Sequence, residues 1–150
     1  MTITWQTKPF DELSIHELFD CLELRQTVFV VEQACPYPDI DAKDLNAWHL
    51  IGRMDHRIIA YARLLEPGVS YPQASIGRVV IAHDARGLKL GRALMQQALN
   101  EMEQLFPEQD VQIGAQERLC HFYLSLNFKP VSDTYLEDGI PHIDMRLSKT

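Results

Sequence analysis

Residues 76–95 read IGRVVIAHDARGLKLGRALM, and the reading of this stretch decides the fold. GRVVIA is an apolar run rich in β-branched residues, which is strand chemistry. ARGLKLG is a basic turn carrying Gly87 and Gly91. From Leu88 the period becomes helical. Leu90, Leu94, Ala98 and Met102 form one stripe, Met95, Leu99 and Phe106 adjoin it, and Pro107 ends the element. A helix N-terminus offers unpaired N–H groups and about half a positive charge, so this strand, turn and helix make a seat for an anion. Glycine lets backbone approach a ligand without a Cβ in the way. Arg86, Lys89 and Arg92 add mobile positive charge.

That positive charge is local, because the whole chain carries −7 at pH 7. Such a balance argues against nucleic acid as a partner. A chain of 150 residues is expected to form one domain over 1–150, large enough for a core without disulfides or metal. Three cysteines (Cys21, Cys35 and Cys120) are odd in number and show no CxxC spacing, so reduced thiols in a cytoplasmic protein are expected. No apolar run is long enough to cross a bilayer, and MTITWQTKPFDELS lacks a basic-then-apolar leader pattern, so no membrane partner is expected. No His/Cys/Asp spacing suggests a metal, and no Gly-x-Ser-x-Gly suggests a hydrolase.

Working outward, TITW reads as a short strand, and Ser14–Glu17 has capping-box spacing ahead of a helix through Leu18, Cys21, Leu22 and Val28. CPYPDIDAKD is loop chemistry with Asp39, Asp41 and Asp44. It is most simply a solvated acidic loop, or else one that attracts a cationic acceptor. AWHLIGRMD and RIIAYARLLEP read as a hairpin turning at Asp55-His56, and YPQASIGRVVIA as the next strand. After the long helix come the strand DVQIGA, a helix in QERLCHFYLSLNF stopped by Asn127, and two strands around Asp138-Gly139. The order β-α-β-β-β-α-β-α-β-β predicts an α/β (mixed α+β) fold. His49 and His121 read as surface or packing residues, and exposed terminal strands allow a homodimer.

Two phosphate motifs fail outright: GxGxxG and GxxxxGK[ST] are both absent. R-G-L-K-L-G instead resembles the Q/R-x-x-G-x-G/A segment of the GCN5-related N-acetyltransferases (GNAT), which cradles the pyrophosphate of acetyl-CoA. Q-E-R-L-C-H-F-Y-L-S-L-N-F resembles that family's N-x-x-A-x-x-F-Y-x-x-x-G-F helix. RQTVFVVEQACPYPDIDAKD and EDGIPHI extend the resemblance to the ElaA-like branch. Lys89 stands where the family has its first glycine, Gln116 replaces an asparagine, and Asn127 replaces a glycine.

The resemblance implies a GNAT fold, a central, mostly antiparallel twisted sheet of about seven strands flanked by helices. It also implies acetyl-CoA as cosubstrate, bound by backbone of Val79, Val80 and Ile81, by the turn Arg86, Gly87, Leu88, Lys89, Leu90, Gly91 and Arg92, and by Gln116 and Phe122. Acetyl transfer needs a neutral amine, a stabilised oxyanion and a proton for the departing thiolate. The resemblance makes Tyr123 the acid, and a β-strand N–H among residues 79–81 the oxyanion donor. Glu32, at the end of the first helix, is the candidate base, with a solvated helix-end carboxylate as the equal alternative. His142 and Asp144 alternate on a late strand and could line the same cleft. The expected function is N-acetyl transfer to a small-molecule or peptide amine in a ternary complex. The alternative is a CoA-binding module or sensor with little catalytic activity.

Overall fold

The computed structural model describes residues 2–149. Strand β1 (Thr4–Pro9) leads through a short 3-10 turn to helix α1 (Ile15–Gln26). The expected capping box forms: Ser14 Oγ accepts from the Glu17 N–H at 3.0 Å, and Glu17 accepts from the Ser14 N–H at 2.9 Å. The helix does not run on regularly. At Thr27–Glu32 it widens into a π-helical turn, where Gln33 N–H donates to Val28 O. The segment TVFVV is largely β-branched and packs poorly in a regular α turn.

Strands β2 (Trp48–Met54) and β3 (Arg57–Leu65) form the predicted hairpin, with Asp55 and His56 both at positive φ (51° and 67°). Then follow β4 (Ala74–Ile81), α2 (Leu90–Leu105), β5 (Val111–Gln116), α3 (Cys120–Leu124), β6 (Lys129–Pro130), β7 (Tyr135–Glu137) and β8 (Ile140–Leu147). Asn127 stops α3 in the left-handed region, at φ 74°, as its sequence position suggested. The two-residue β6 makes the sheet eight-stranded rather than seven. Its order is β1-β2-β3-β4-β5-β8-β6, with β7 on β8, and every pairing is antiparallel except β4–β5.

Two layers cover the sheet. On one face α2 presents Leu94, Met95, Ala98 and Met102 to Leu50, Ala62, Ile113 and Met145, and α3 adds Tyr123 while the turn after it adds Leu126 and Phe128 to the same core. On the other, Cys21 and Val28 pack on Ile51, Tyr61 and Val80. The alternation of β3, with Ala60 and Ala62 to one core and Tyr61 to the other, makes that division possible.

The parallel pair is brief. β4 and β5 are in register only at Ala74↔Val111 and Ser75↔Gln112, and beyond those rungs the two strands diverge. A bulge accompanies the divergence: Tyr61 pairs with Val80 and Arg63 with Gly77, leaving one extra residue in β4. Arg78 takes up the bend at φ 49°.

The acidic loop is not solvated, which corrects that expectation. Asp39 and Asp44 are buried, and so are Arg25 and Arg63. Arg25 donates to Asp39 Oδ2 at 3.0 Å and to both Asp44 oxygens at 2.8 and 3.2 Å. Arg63 bonds Asp41 at 2.7 Å and Asp44 at 3.1 Å. Arg78 pairs with Asp39 at 2.9 Å and with Asp41 at 3.4 Å. His49 is buried beneath this network, its Nδ1 2.6 Å from the Tyr61 hydroxyl and its Nε2 3.0 Å from Asp44 O. Burial alone would raise the Asp44 carboxyl, but Arg25 outweighs it and the net shift is downward. With three arginines on three aspartates, this loop has no spare charge for a cationic acceptor.

Removing one partner strands the others in the interior. Arg25→Met should therefore cost about 3–5 kcal/mol, read from urea denaturation with an unchanged slope. A second test uses pH. Burial pushes Glu17 up, but the Ser14 N–H, Lys8 and Arg53 hold it at about 2 against an ordinary 4.5. Its contribution to stability is therefore complete above the ordinary value and lost as pH falls toward 2. Glu17→Gln should flatten the acid limb of a stability–pH curve, and an unchanged limb would contradict the assignment.

Candidate active site

The geometry follows from the direction of the β4 backbone. Ala82 N–H donates to Ile59 O at 2.8 Å, so the peptide groups of Ala82 and, two residues back, Val80 face β3. Those of Val79 and Ile81 face the opposite way, into the gap left by β5. Val80, expected to offer backbone to a cofactor, is thus committed to the sheet, and Val79 and Ile81 hold the open groups. Ile81 O is already covered, since Arg86 Nε and Nη2 both donate to it at 3.2 Å.

The gap ends at the basic turn. Gly87 lies at φ 87°, a region closed to most residues, and a Cβ built there meets no atom within 4 Å. The turn is open on that side. Lys89 is the N-cap of α2 and is itself left-handed, at φ 60° and ψ 25°. This explains why glycine is the residue that the resemblance places there, and the lysine is exposed. It also shortens the helix, which begins at Leu90 rather than Leu88. No side chain caps this sixteen-residue helix, so the N–H groups of its first turn, at Leu90, Gly91 and Arg92, keep their donors for an anion.

Two of the three basic side chains are anchored rather than mobile. Arg86 forms an ion pair with Glu32 at 2.5 Å, and Arg92 donates to Ser125 Oγ at 2.6 Å. Glu32 is therefore not a free base. The hydrogen bond from Arg86, above all, lowers its proton affinity, so its place at the cleft rim suits holding Arg86 better than accepting a proton at neutral pH.

α3 supplies the wall opposite. Phe122 Cζ lies 3.8 Å from where a Cβ on Gly91 would stand, so this ring abuts the start of α2. Tyr123 is held edge-on between Phe122 (5.1 Å) and Phe128 (5.9 Å). It is 6 % exposed, and burial pushes its phenol up to about 12. Its hydroxyl makes no hydrogen bond among the described residues, which leaves the donor uncommitted.

On the α1 face of the diverging strands, Gln116 Nε2 donates to Gln33 Oε1 at 3.3 Å, bridging β5 to the segment after α1. Gly114, Tyr71 and Tyr135 were not singled out in the sequence. Asp144 pairs with Gly114 across β5–β8, and both tyrosine hydroxyls converge on it, Tyr135 at 2.6 Å and Tyr71 at 3.3 Å. The alternation His142–Asp144 was the one signal for this group, and His142 does lie on the same face, opposite Gln116.

Comparison with known proteins gives the chain its relatives. Residues 24–149 match the family model described as Acetyltransferase (GNAT) domain. Protein ElaA of Escherichia coli K12 is 43% identical over 145 residues, covering 95% of each chain. A crystal structure of an acyl-CoA N-acyltransferase from Pseudomonas aeruginosa superposes with a TM-score of 0.92 at 43% identity, over 97% of this chain and 99% of that one. The crystal structure of Escherichia coli ElaA gives 0.90 at 42% identity, with the same coverage.

Lys89 sits where a Cβ costs about 1 kcal/mol or more. Lys89→Gly should raise the thermal midpoint by a few degrees. A fall in that midpoint would show that the side chain holds the turn by contacts of its own.

Proposed function

The chain belongs to the GNAT acetyltransferase family, and on that premise we propose that it transfers an acetyl group from acetyl-CoA to an amine of a small molecule or peptide. As a family member it is an acyltransferase with the acyl-CoA N-acyltransferase fold. One observation carries the proposal: β4 and β5 separate beside open backbone groups, and the gap leads to an uncapped helix N-terminus behind an open glycine. That slot fits a long thioester arm ending in a pyrophosphate.

Each residue then has a task. Val79, through its N–H and C=O, and Ile81, through its N–H, take the amide groups of the arm along the open edge of β4. A β4 N–H on the gap side donates to the reacting carbonyl oxygen as negative charge grows there. The first-turn N–H groups of α2 take phosphate oxygens, and Gly87 and Gly91 let them come close. Arg86 exchanges Glu32 for phosphate, or stays with it as the wall of the slot. Tyr123 hands its proton to the departing sulfur. Its raised pKa keeps it protonated at every physiological pH, as an acid must be. The amine attacks from the α1 face, directly within the ternary complex, and its proton passes to water in the cleft.

Calorimetric titration with acetyl-CoA, followed by acetylation of an amine panel, tests the proposal. Tyr123→Phe should lower kcat by about 10²-fold or more and leave the acetyl-CoA dissociation constant unchanged. Gly91→Glu should weaken acetyl-CoA by about tenfold or more, since a carboxylate then stands among the phosphates. Binding without acetylation of any amine would favour a CoA-binding module. An unaffected Gly91→Glu would contradict the placement.

A further inference from the structure

The three aspartates that look like bait for a cationic substrate are all neutralised, yet beside the parting of β4 and β5 the carboxylate of Asp144 has no cationic partner among the described residues. Asp144 lies on β8 directly opposite Gly114, which follows the last β4–β5 rung at Gln112 by two residues. It therefore stands beside the point where the strands part. Its Oδ1 accepts from Tyr135 Oη at 2.6 Å and from Tyr71 Oη at 3.3 Å, and its own N–H donates to Ser132 Oγ at 2.9 Å. No lysine, arginine or histidine among the described residues forms an ion pair with it. Arg146, two residues on and on the same face, is turned onto Gln112 Oε1 at 2.7 and 2.9 Å. Oδ2 makes no hydrogen bond among the described residues.

The surroundings keep that oxygen in place. A Cβ at position 114 would stand 3.0 Å from the Tyr71 hydroxyl and 3.2 Å from that of Tyr135, so a side chain there would press on both phenols where they reach the carboxylate. The Tyr135 ring stacks on His142 at 6.0 Å, which fixes its angle. Both phenols are pushed up, by burial first and then by Asp144, so they stay protonated and keep donating. Two neutral donors orient a carboxylate without cancelling its charge.

We propose that Asp144, oriented by Tyr71 and Tyr135, is the acceptor site of this protein, and that it selects primary amines arriving as ammonium with no carboxylate on the adjacent carbon. Oδ2 takes one N–H of the ammonium and sets the nitrogen beside the closed end of the gap, where β4 and β5 begin to part. An acceptor that carries its own carboxylate one carbon away brings two like charges within a few ångströms on a half-buried face, and it is rejected for that reason. Asp144 binds the acceptor. Tyr71 and Tyr135 are positioning residues that act through it.

This inference rests on the acetyl-CoA reading above, so CoA binding is measured first and separately. The protein saturated with CoA is then titrated calorimetrically with phenethylamine and with phenylalanine, which differ by the α-carboxylate alone. Phenethylamine should bind tighter by about tenfold or more. Asp144→Asn should weaken phenethylamine by a similar factor and bring the two ligands to near equality, with the CoA dissociation constant unchanged. Tyr135→Phe should weaken phenethylamine less and leave CoA affinity unchanged, as a positioning role requires. Equal binding of both ligands, binding of neither, or a preference that survives Asp144→Asn overturns the acceptor site while CoA binding stands. Failure to bind CoA at all removes the acetyl-transfer reading and this inference together.

Discussion

The parting of two parallel strands is the constraint on which the rest of this molecule depends. β4 and β5 share two rungs and then separate, although both continue for several residues. Unpaired backbone inside a sheet is costly unless something fills the gap. The N–H and C=O of Val79 and the N–H of Ile81 face that gap without a strand partner, while Arg86 covers Ile81 O. The α2 turn lies at the open end of that gap, and Asp144 stands beside its closed end.

The ion network fastens the bulge on the β4 side of that gap. The bulge that turns β4 away is taken up by Arg78 in a backbone region that arginine seldom adopts, at φ 49°. Its side chain is fastened to Asp39 and Asp41, which are fastened in turn by Arg25 and Arg63. Buried ion networks seldom add much net stability, because desolvation offsets attraction. Their contribution is geometric here. Several charges satisfied at once permit one arrangement of loop and bulge, and any slip leaves a charge unpaired in the interior. The same network separates the roles of the acidic residues: those in the loop fix the scaffold, and Asp144, beside the gap, forms no ion pair among the described residues.

Local chemistry made much of this legible in the sequence. The Ser14–Glu17 box, the Asp55-His56 and Asp138-Gly139 turns, the Leu90–Met102 stripe and the Asn127 stop each depend on neighbours a few residues away, and each appears where it was read. The features that escaped depend on distant partners. Asp39, Asp41 and Asp44 look solvated until Arg25, Arg63 and Arg78 arrive from three other elements. Glu32 looks like a free base until Arg86, far along the chain, closes on it. Val80 differs from Val79 and Ile81 only in which way its peptide faces, and the bulge that sets this has no local signature. Gly114 reads as an ordinary strand glycine until Tyr71 and Tyr135 are seen to need the space above it.

Amide NMR of the isotope-labelled protein, with and without acetyl-CoA, tests the unpaired edge of β4 most directly. Without ligand, the Val79 and Ile81 N–H groups should exchange rapidly with solvent and Val80 should be protected by β3. Saturation with acetyl-CoA should slow exchange at Val79 and Ile81 and leave Val80 as it was. If acetyl-CoA binds and neither Val79 nor Ile81 changes, or if Val80 alone responds, the slot between β4 and β5 is not where the thioester arm lies.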